Sequence, residues 1–245
     1  HCVAIKRPAG VEKAGITGKG SWATGVAMAD VNADGKLDIY VCNSGNPRSS
    51  EKSAQSFSRE NELFINEGGD IPHFSDKANE FGLADRGLTT HAAFFDYDRD
   101  GDLDCYILNN SFRPIGSFDL RKNLRYTRDS LGGHKLMRND SGKFTDVSEK
   151  AGILGSVIAF GLGVTVGDIN HDGWDDIYIS CHLSAEESLR KNKLYINQKN
   201  NTFIESAEKY GLADASRSIH AVFFDYDLDN DLDAFILNQP PSDYQ

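Results

Sequence analysis

The chain has 245 residues, with 37 Asp and Glu against 26 Lys and Arg, for a formal charge of −11 that argues against free nucleic acid as a partner. A domain of this size has room for a substantial core, and 39 % apolar residues are too many for a disordered chain. The longest mostly apolar run, residues 157–167, contains three glycines and falls far short of the roughly 20 residues that cross a bilayer, so no membrane span is expected.

From the N-terminus, residues 1–16 end in Glu12-Lys-Ala-Gly-Ile16, which matches Glu149-Lys-Ala-Gly-Ile153 and reads as the tail of a repeat unit. The chain starts at His1 with no basic stretch, apolar run and cleavage site, as expected if a signal peptide has been removed or if this is a piece of something longer. Cys2 invites a lipid-anchor reading, but His1 before it and the missing apolar segment count against one. Cys42, Cys105 and Cys181 lie in apolar runs, 63 and 76 residues apart, which suits buried free thiols better than a metal cluster or a disulfide scaffold.

Residues 20–83 hold the first complete unit. An apolar stretch, Gly25 to Ala29, leads into Asp30-Val-Asn-Ala-Asp-Gly-Lys-Leu-Asp38 and then a second apolar stretch, Ile39 to Cys42. A third segment, Glu62-Leu-Phe-Ile-Asn66, and a fourth, from Phe74 to Gly82-Leu83, complete it. The same order recurs over 87–153 around Asp96-Tyr-Asp-Arg-Asp-Gly-Asp-Leu-Asp104, and over 160–212 around Asp168-Ile-Asn-His-Asp-Gly-Trp-Asp-Asp176. Residues 217–245 repeat the first half only, around Asp225-Tyr-Asp-Leu-Asp-Asn-Asp-Leu-Asp233.

The segments are short, aromatic and β-branched, and are bounded by Gly, Asn and Asp, so they read as strands. The fourth of each set ends in about one helical turn stopped by a glycine. Each unit is therefore a four-stranded antiparallel meander. One such sheet cannot bury both its faces, and stacking several radially makes an all-β protein of the β-propeller type. Either residues 1–16 help to close a ring of four blades, or the chain is an arc of a larger ring. The arc is preferred, because residues 1–16 offer at most one clear strand where two are needed.

The acidic loops between first and second strands read as calcium sites. Oxygen ligands at positions 1, 3 and 5 and a backbone carbonyl at 7 surround a hard cation, and Gly at 6 supplies the bend. An EF-hand would need a bidentate Glu at position 12, where this chain has Val41, Ile107, Ile179 and Ile236. Position 9 is Asp each time and can close the cage. The expected side-chain ligands are Asp30, Asn32, Asp34 and Asp38 in the first loop, and Asp96, Asp98, Asp100 and Asp104 in the second. In the third they are Asp168, Asn170, Asp172 and Asp176, and in the fourth Asp225, Asp227, Asp229 and Asp233. Lys36, Asp102, Trp174 and Asp231 would contribute carbonyls. The fourth loop is the weakest, since Asn230 replaces Gly. The oxygen count and the absence of a phosphate ligand favour Ca²⁺ over Mg²⁺, and extracellular modules bind it at about 10⁻⁴ to 10⁻³ M.

These loops resemble those of the FG-GAP and VCBS repeats of integrin α-subunit propellers, cartilage acidic protein relatives and bacterial surface proteins. Phe160-Gly-Leu-Gly-Val-Thr-Val-Gly-Asp168 carries the Phe-Gly and Gly-Asp elements, and the similarity runs over about residues 20–238. The resemblance implies a calcium-bearing propeller in an extracellular, cell-surface or periplasmic setting. It implies adhesion, glycan binding or assembly rather than one activity.

The connections from second to third strands are the irregular part, and they leave on the face opposite the acidic loops. The one over 110–133 sets Arg113, Arg121, Lys122, Arg125 and Arg128 among Phe112, Phe118 and Tyr126, which suits a protein partner or an acidic glycan. A role as a component of an outer-membrane surface complex is the alternative. His91 and His220 stand at equivalent starts of first strands, and a packing role is expected for them. No nucleophile elbow, zinc-binding His-Glu motif or phosphate loop is present, so the enzyme reading left is a propeller polysaccharide lyase. Asn109, Asn139 and Asn200 begin glycosylation sequons.

The acidic loops hold 17 carboxylates against Lys36 and Arg99, leaving 20 acids and 24 bases elsewhere. The negative charge is thus concentrated where a cation would sit.

Overall fold

The computed structural model describes residues 12–18, 22–44, 59–111, 127–156, 161–182 and 191–240. Among these the chain is all-β. Its first sheet runs in sequence order through β1 (Ala23–Ala29), β2 (Asp38–Asn43), β3 (Glu62–Gly68) and β4 (His73–Asp76). Its second has β5 (Leu88–Phe95), β6 (Asp104–Asn110), β7 (Lys135–Asn139) and β8 (Phe144–Asp146). The third has β9 (Gly161–Gly167), β10 (Asp176–Cys181), β11 (Lys193–Asn197) and β12 (Phe203–Glu205), and β13 (Arg217–Phe224) pairs with β14 (Asp233–Gln239) in a two-stranded sheet. All pairings are antiparallel. The single turn α1 (Ala78–Phe81) follows β4.

The second strands explain the stacking. Side chains alternate between faces along a strand, and in β10 both sets are apolar: Ile177 and Ile179 on one side, Tyr178 on the other. Ile177 and Ile179 join the cluster with Tyr106, Leu108 and Leu136 of the second sheet. Tyr178 joins Ala221, Phe223 and Ile236 of the two-stranded sheet. In the same way Tyr40 and Cys42 of the first sheet pack with Cys105 and Ile107 of the second. Each internal sheet is thus covered on both faces. Burial stabilises each large apolar side chain by about 1.5–3 kcal/mol.

First strands of consecutive sheets lie side by side, β1 against β5, β5 against β9 and β9 against β13. Hydroxyls cross between them: Thr90 Oγ1 donates to Gly161 O at 3.0 Å, and Thr165 Oγ1 to Ala221 O at 2.6 Å. Glycine permits the approach, since a Cβ on Gly163 would lie 2.5 Å from His220 Nδ1.

The turn that ends one unit docks on the fourth strand of the next. Gly152 (φ 78°) lies so close to β12 that a Cβ would come within 2.7 Å of Phe203 O, and Ala151 O accepts the Phe203 N–H at 2.8 Å. Residues 12–16 make the equivalent contact with β4, where Ala14 O accepts the Phe74 N–H at 2.8 Å.

A polar network recurs just before the third strands. Asn61 Nδ2 donates to the Tyr40 hydroxyl and to Thr89 Oγ1, and Asn192 Nδ2 donates to the Tyr178 hydroxyl and to Ser218 Oγ. Between the second and third sheets the pattern changes. His134 takes the Asn position, and Gly161 takes that of Thr89 and Ser218, where a Cβ would strike Leu108 Cδ1 at 2.6 Å. The Tyr106 hydroxyl is 3.2 Å from His134 Nδ1, while the buried Nε2 has no hydrogen-bond partner. Burial first, then the nearby Lys193 charge, pushes the His134 pKa down to about 3.

Candidate functional site

Each acidic loop is a hairpin whose backbone folds around its own carboxylates. The first Asp accepts the N–H of the sixth residue in all four loops: Gly35 to Asp30 at 2.8 Å, Gly101 to Asp96 at 3.1 Å, Gly173 to Asp168 at 2.7 Å and Asn230 to Asp225 at 3.1 Å. The fifth residue, Asp34, Asp100, Asp172 or Asp229, accepts the N–H two residues on. The carboxylates at positions 1 and 5 are therefore turned back onto the loop's own backbone.

The backbone takes a left-handed conformation twice per loop. At position 6 this is Gly35, Gly101, Gly173 and Asn230, with φ of 84°, 97°, 87° and 72°. At position 4 it is Ala33, Arg99, His171 and Leu228, with φ of 56°, 60°, 54° and 64°. Non-glycine residues pay about 1–2 kcal/mol for that region, and the same strain at the same place in four loops marks a geometry the fold maintains. Gly101→Ala is expected to cost about 1–2 kcal/mol by urea denaturation. The loss would be conformational, because an added Cβ would meet nothing within 4 Å. Asn230→Gly is expected to shift the midpoint the other way.

The ninth Asp ties the loop to the sheet. Asp38, Asp104 and Asp176 are fully buried. One oxygen of each accepts the N–H of position 2 (Val31, Tyr97, Ile169), and the other accepts the N–H of an Asn at or near the end of the third strand: Asn66 at 2.8 Å, Asn139 at 2.8 Å and Asn197 at 2.9 Å. Those asparagines also donate through Nδ2 to the carbonyls of Leu37, Leu103 and Asp175. Asp233 accepts the Tyr226 N–H at 2.8 Å in the fourth loop. A carboxylate oxygen has two acceptor sites, so the ninth Asp can still face the loop interior. Sequence reasoning missed this asparagine latch, although Asn recurs at 66, 139 and 197.

The four loops differ in what their carboxylates meet. Ligand oxygens of Asp96, Asp98 and Asp104 lie within 4.8 Å of one another, as do those of Asp225, Asp227 and Asp229. In the second loop one oxygen each of Asp96, Asp98 and Asp102 is inaccessible to solvent and has no hydrogen-bond partner. Burial raises the Asp104 carboxyl to about 8, against the opposing effect of its two backbone N–H partners. In the first loop Lys36 Nζ donates to Asp34 Oδ2 at 2.8 Å and holds that carboxyl below its ordinary value. In the third, Lys199 Nζ is 3.5 Å from Asp172 Oδ2. Arg99 of the second loop stacks over Trp174 of the third, with Cζ 4.7 Å from the ring centroid.

Orphaned carboxylate oxygens in an all-oxygen cage are the donor chemistry of a hard divalent cation. Asp96, Asp98 and Asp104 could hold such a cation together, whereas Asp100, expected from the sequence as a fourth side-chain ligand, is not part of that cluster.

Of the residues expected to meet a partner, Phe112, Arg113, Phe118, Arg121, Lys122, Arg125 and Tyr126 lie outside the described residues, as does Cys2. Arg128 is committed to the fold: its guanidinium donates to Asp146 at 2.9 Å and to the carbonyls of Ile153 and Leu154. His91 and His220 meet edge to face, with ring centroids 5.8 Å apart, and the Val164 N–H reaches His91 Nδ1 at 3.4 Å. Cys42, Cys105 and Cys181 are buried. Asn109 and Asn139 are buried and hydrogen-bonded, whereas the sequon at Asn200 is exposed.

No family model matches the chain, and no curated protein matches it. Among solved structures, similarity is found to one titled for the specific recognition of non-reducing terminal N-acetylglucosamine by an Agrocybe aegerita lectin, at TM-score 0.36 and 16 % identity over 73 % of this chain. The chain spans 36 % of the length of that lectin, and a likeness of this size leaves function to be argued from the residues.

Proposed function

We propose that this chain is a calcium-stabilised β-propeller arc of the FG-GAP and VCBS type, serving outside the cell or at its surface as a binding module for a protein or glycan. The observation that carries the metal reading is the second loop, where Asp96, Asp98 and Asp104 converge and two of them turn unpartnered, solvent-inaccessible oxygens inward. The other three loops repeat its backbone geometry. The radial reading is supported by first strands that run side by side through all four sheets. Calcium would clamp each inner hairpin, and the connections on the opposite face would meet the partner.

Chelation tests this. At free calcium about tenfold above Kd, one site adds roughly 1.4 kcal/mol. Four such sites would lower the melting temperature by roughly 10–20 °C on removal, for a domain of this length. A melting curve identical in excess chelator and in millimolar calcium would reject the metal reading. Binding to an array of acidic and neutral glycans in calcium then tests the partner class.

A further inference from the structure

Where the second sheet meets the third, a lysine keeps its place in the repeat but not the carboxylate that its counterpart meets. Between the first and second sheets, Lys135 opens β7 and forms an ion pair with Asp85 of the preceding turn, both side chains being largely buried. Asp85 also accepts from Asn109 Nδ2 at 3.0 Å. Asp214 holds the same place in the turn after the third sheet and accepts from Asn238 Nδ2 at 2.8 Å. Between the second and third sheets, Lys193 opens β11 as Lys135 opens β7, but Gly155 stands in the place of the acid and Cys181 in that of the amide. No side chain fits at 155, where a Cβ would lie 2.4 Å from His134 O. Among the described residues Lys193 has no ion pair.

A cleft of about 350 Å³ opens at this lysine, bounded by Leu154 of the turn, Tyr195 of β11 and Glu205 of β12. Lys191 and Glu208 also line it, and they pair with each other at 2.7 Å, so Lys193 carries the unmatched charge. Glu205 uses Oε1 to accept the N–H groups of Leu194 and Ala207, which leaves Oε2 as an acceptor. Because the cleft sits at the start of a third strand, it lies on the face opposite the acidic loops. Its volume is at the small end of the roughly 300–1,000 Å³ of small-molecule sites, which suits a sugar-sized unit.

We infer that this cleft binds a sugar acid, with Lys193 holding the carboxylate, as Lys135 holds that of Asp85, and Glu205 accepting a hydroxyl. A half-buried ammonium without a counter-ion gains more from an anion than one in open solvent, because the lower dielectric strengthens the pair. A simple anion would satisfy Lys193 alone, whereas a sugar acid also fills the cleft and brings Glu205 a donor. The inference rests on the reading of the chain as a glycan-binding module and names the class of sugar.

The test is isothermal titration calorimetry of the 245-residue chain in millimolar calcium, with glucuronate and galacturonate as ligands and glucose, galactose and acetate as comparisons. The expected result is binding of a uronate that Lys193→Met weakens by about tenfold or more, the size of one lost charge-assisted hydrogen bond. Lys193→Arg, which keeps the charge, is expected to retain most of the binding, and Lys143→Met, in the turn between β7 and β8 at the other end of the sheet, all of it. Melting without ligand checks that each variant is folded. A parent chain that binds neither uronate up to about 50 mM overturns the inference. So does acetate or a neutral sugar that binds as tightly as the uronate, or uronate binding that Lys193→Met leaves intact. Other glycans bound on an array by a chain that ignores uronates would overturn this inference alone, whereas a chain that binds no glycan at all would also overturn the glycan-module reading beneath it.

Discussion

Asp104→Ala is expected to cost about 2–6 kcal/mol. Its carboxylate is fully buried and accepts two backbone N–H groups, from Tyr97 at 3.0 Å and Asn139 at 2.8 Å. Alanine would leave both donors buried without a partner, at about 1–3 kcal/mol each. Asp104→Asn separates this structural role from the metal role. Asparagine keeps an acceptor for one N–H and removes the charge a cation would meet. Urea denaturation in calcium and in chelator distinguishes the two. The Ala variant should lose the most stability in chelator, and the Asn variant about half as much, since one N–H keeps its acceptor; the metal role is read from the further loss each shows on adding calcium. If Asp104→Asn retained the full calcium increment, the ninth position would be a latch and not a ligand.

The second large effect is a pH dependence centred on His134. Its folded-state pKa is lowered from 6.5 to about 3 by burial. The unfolded chain therefore takes up a proton below about pH 6.5 that the folded chain refuses. Stability from this residue is fully present above 6.5 and falls as the pH drops towards 3, by about 1.4 kcal/mol per pH unit. His134→Asn places there the residue that the same position carries at 61 and 192, with an amide able to reach the Tyr106 hydroxyl. The difference in unfolding free energy between variant and parent is expected to move in the variant's favour by about 2.3 kcal/mol between pH 6.5 and 4.5. Taking the difference cancels the carboxylates and any calcium effect common to both proteins. A difference that stays flat over that interval would show that His134 is protonated in the folded state.

The repeat unit and its strand order were legible because each segment is local: alternation, turn residues and acidic spacing all lie within about ten residues. The left-handed position 4 was not, because Ala33, Arg99, His171 and Leu228 share no chemistry, and the surrounding hydrogen bonds impose the conformation. The asparagine latch was also hidden. Asn66 meets Asp38 across 28 residues, Asn139 meets Asp104 across 35, and only the β2–β3 and β6–β7 pairings bring them together. Arg128 stood among cations expected to meet a partner, yet its own partners are the end of the following turn and β8. The same limit applies to the sequons, where Asn109 and Asn139 match the pattern of Asn200 but lie in the core.

Phe-Phe-Asp-Tyr-Asp occurs twice, at 94–98 and at 223–227. In both places the sequence by itself determined the same strand, the same entry into an acidic turn and the same oxygen donors, because those depend on neighbours in the chain. Burial was decided only by tertiary structure: Tyr97 is 1 % exposed and Tyr226 is 76 % exposed. A strand's outer face is core or surface according to whether another sheet stacks on it, and that sheet comes from elsewhere in the chain or from another molecule.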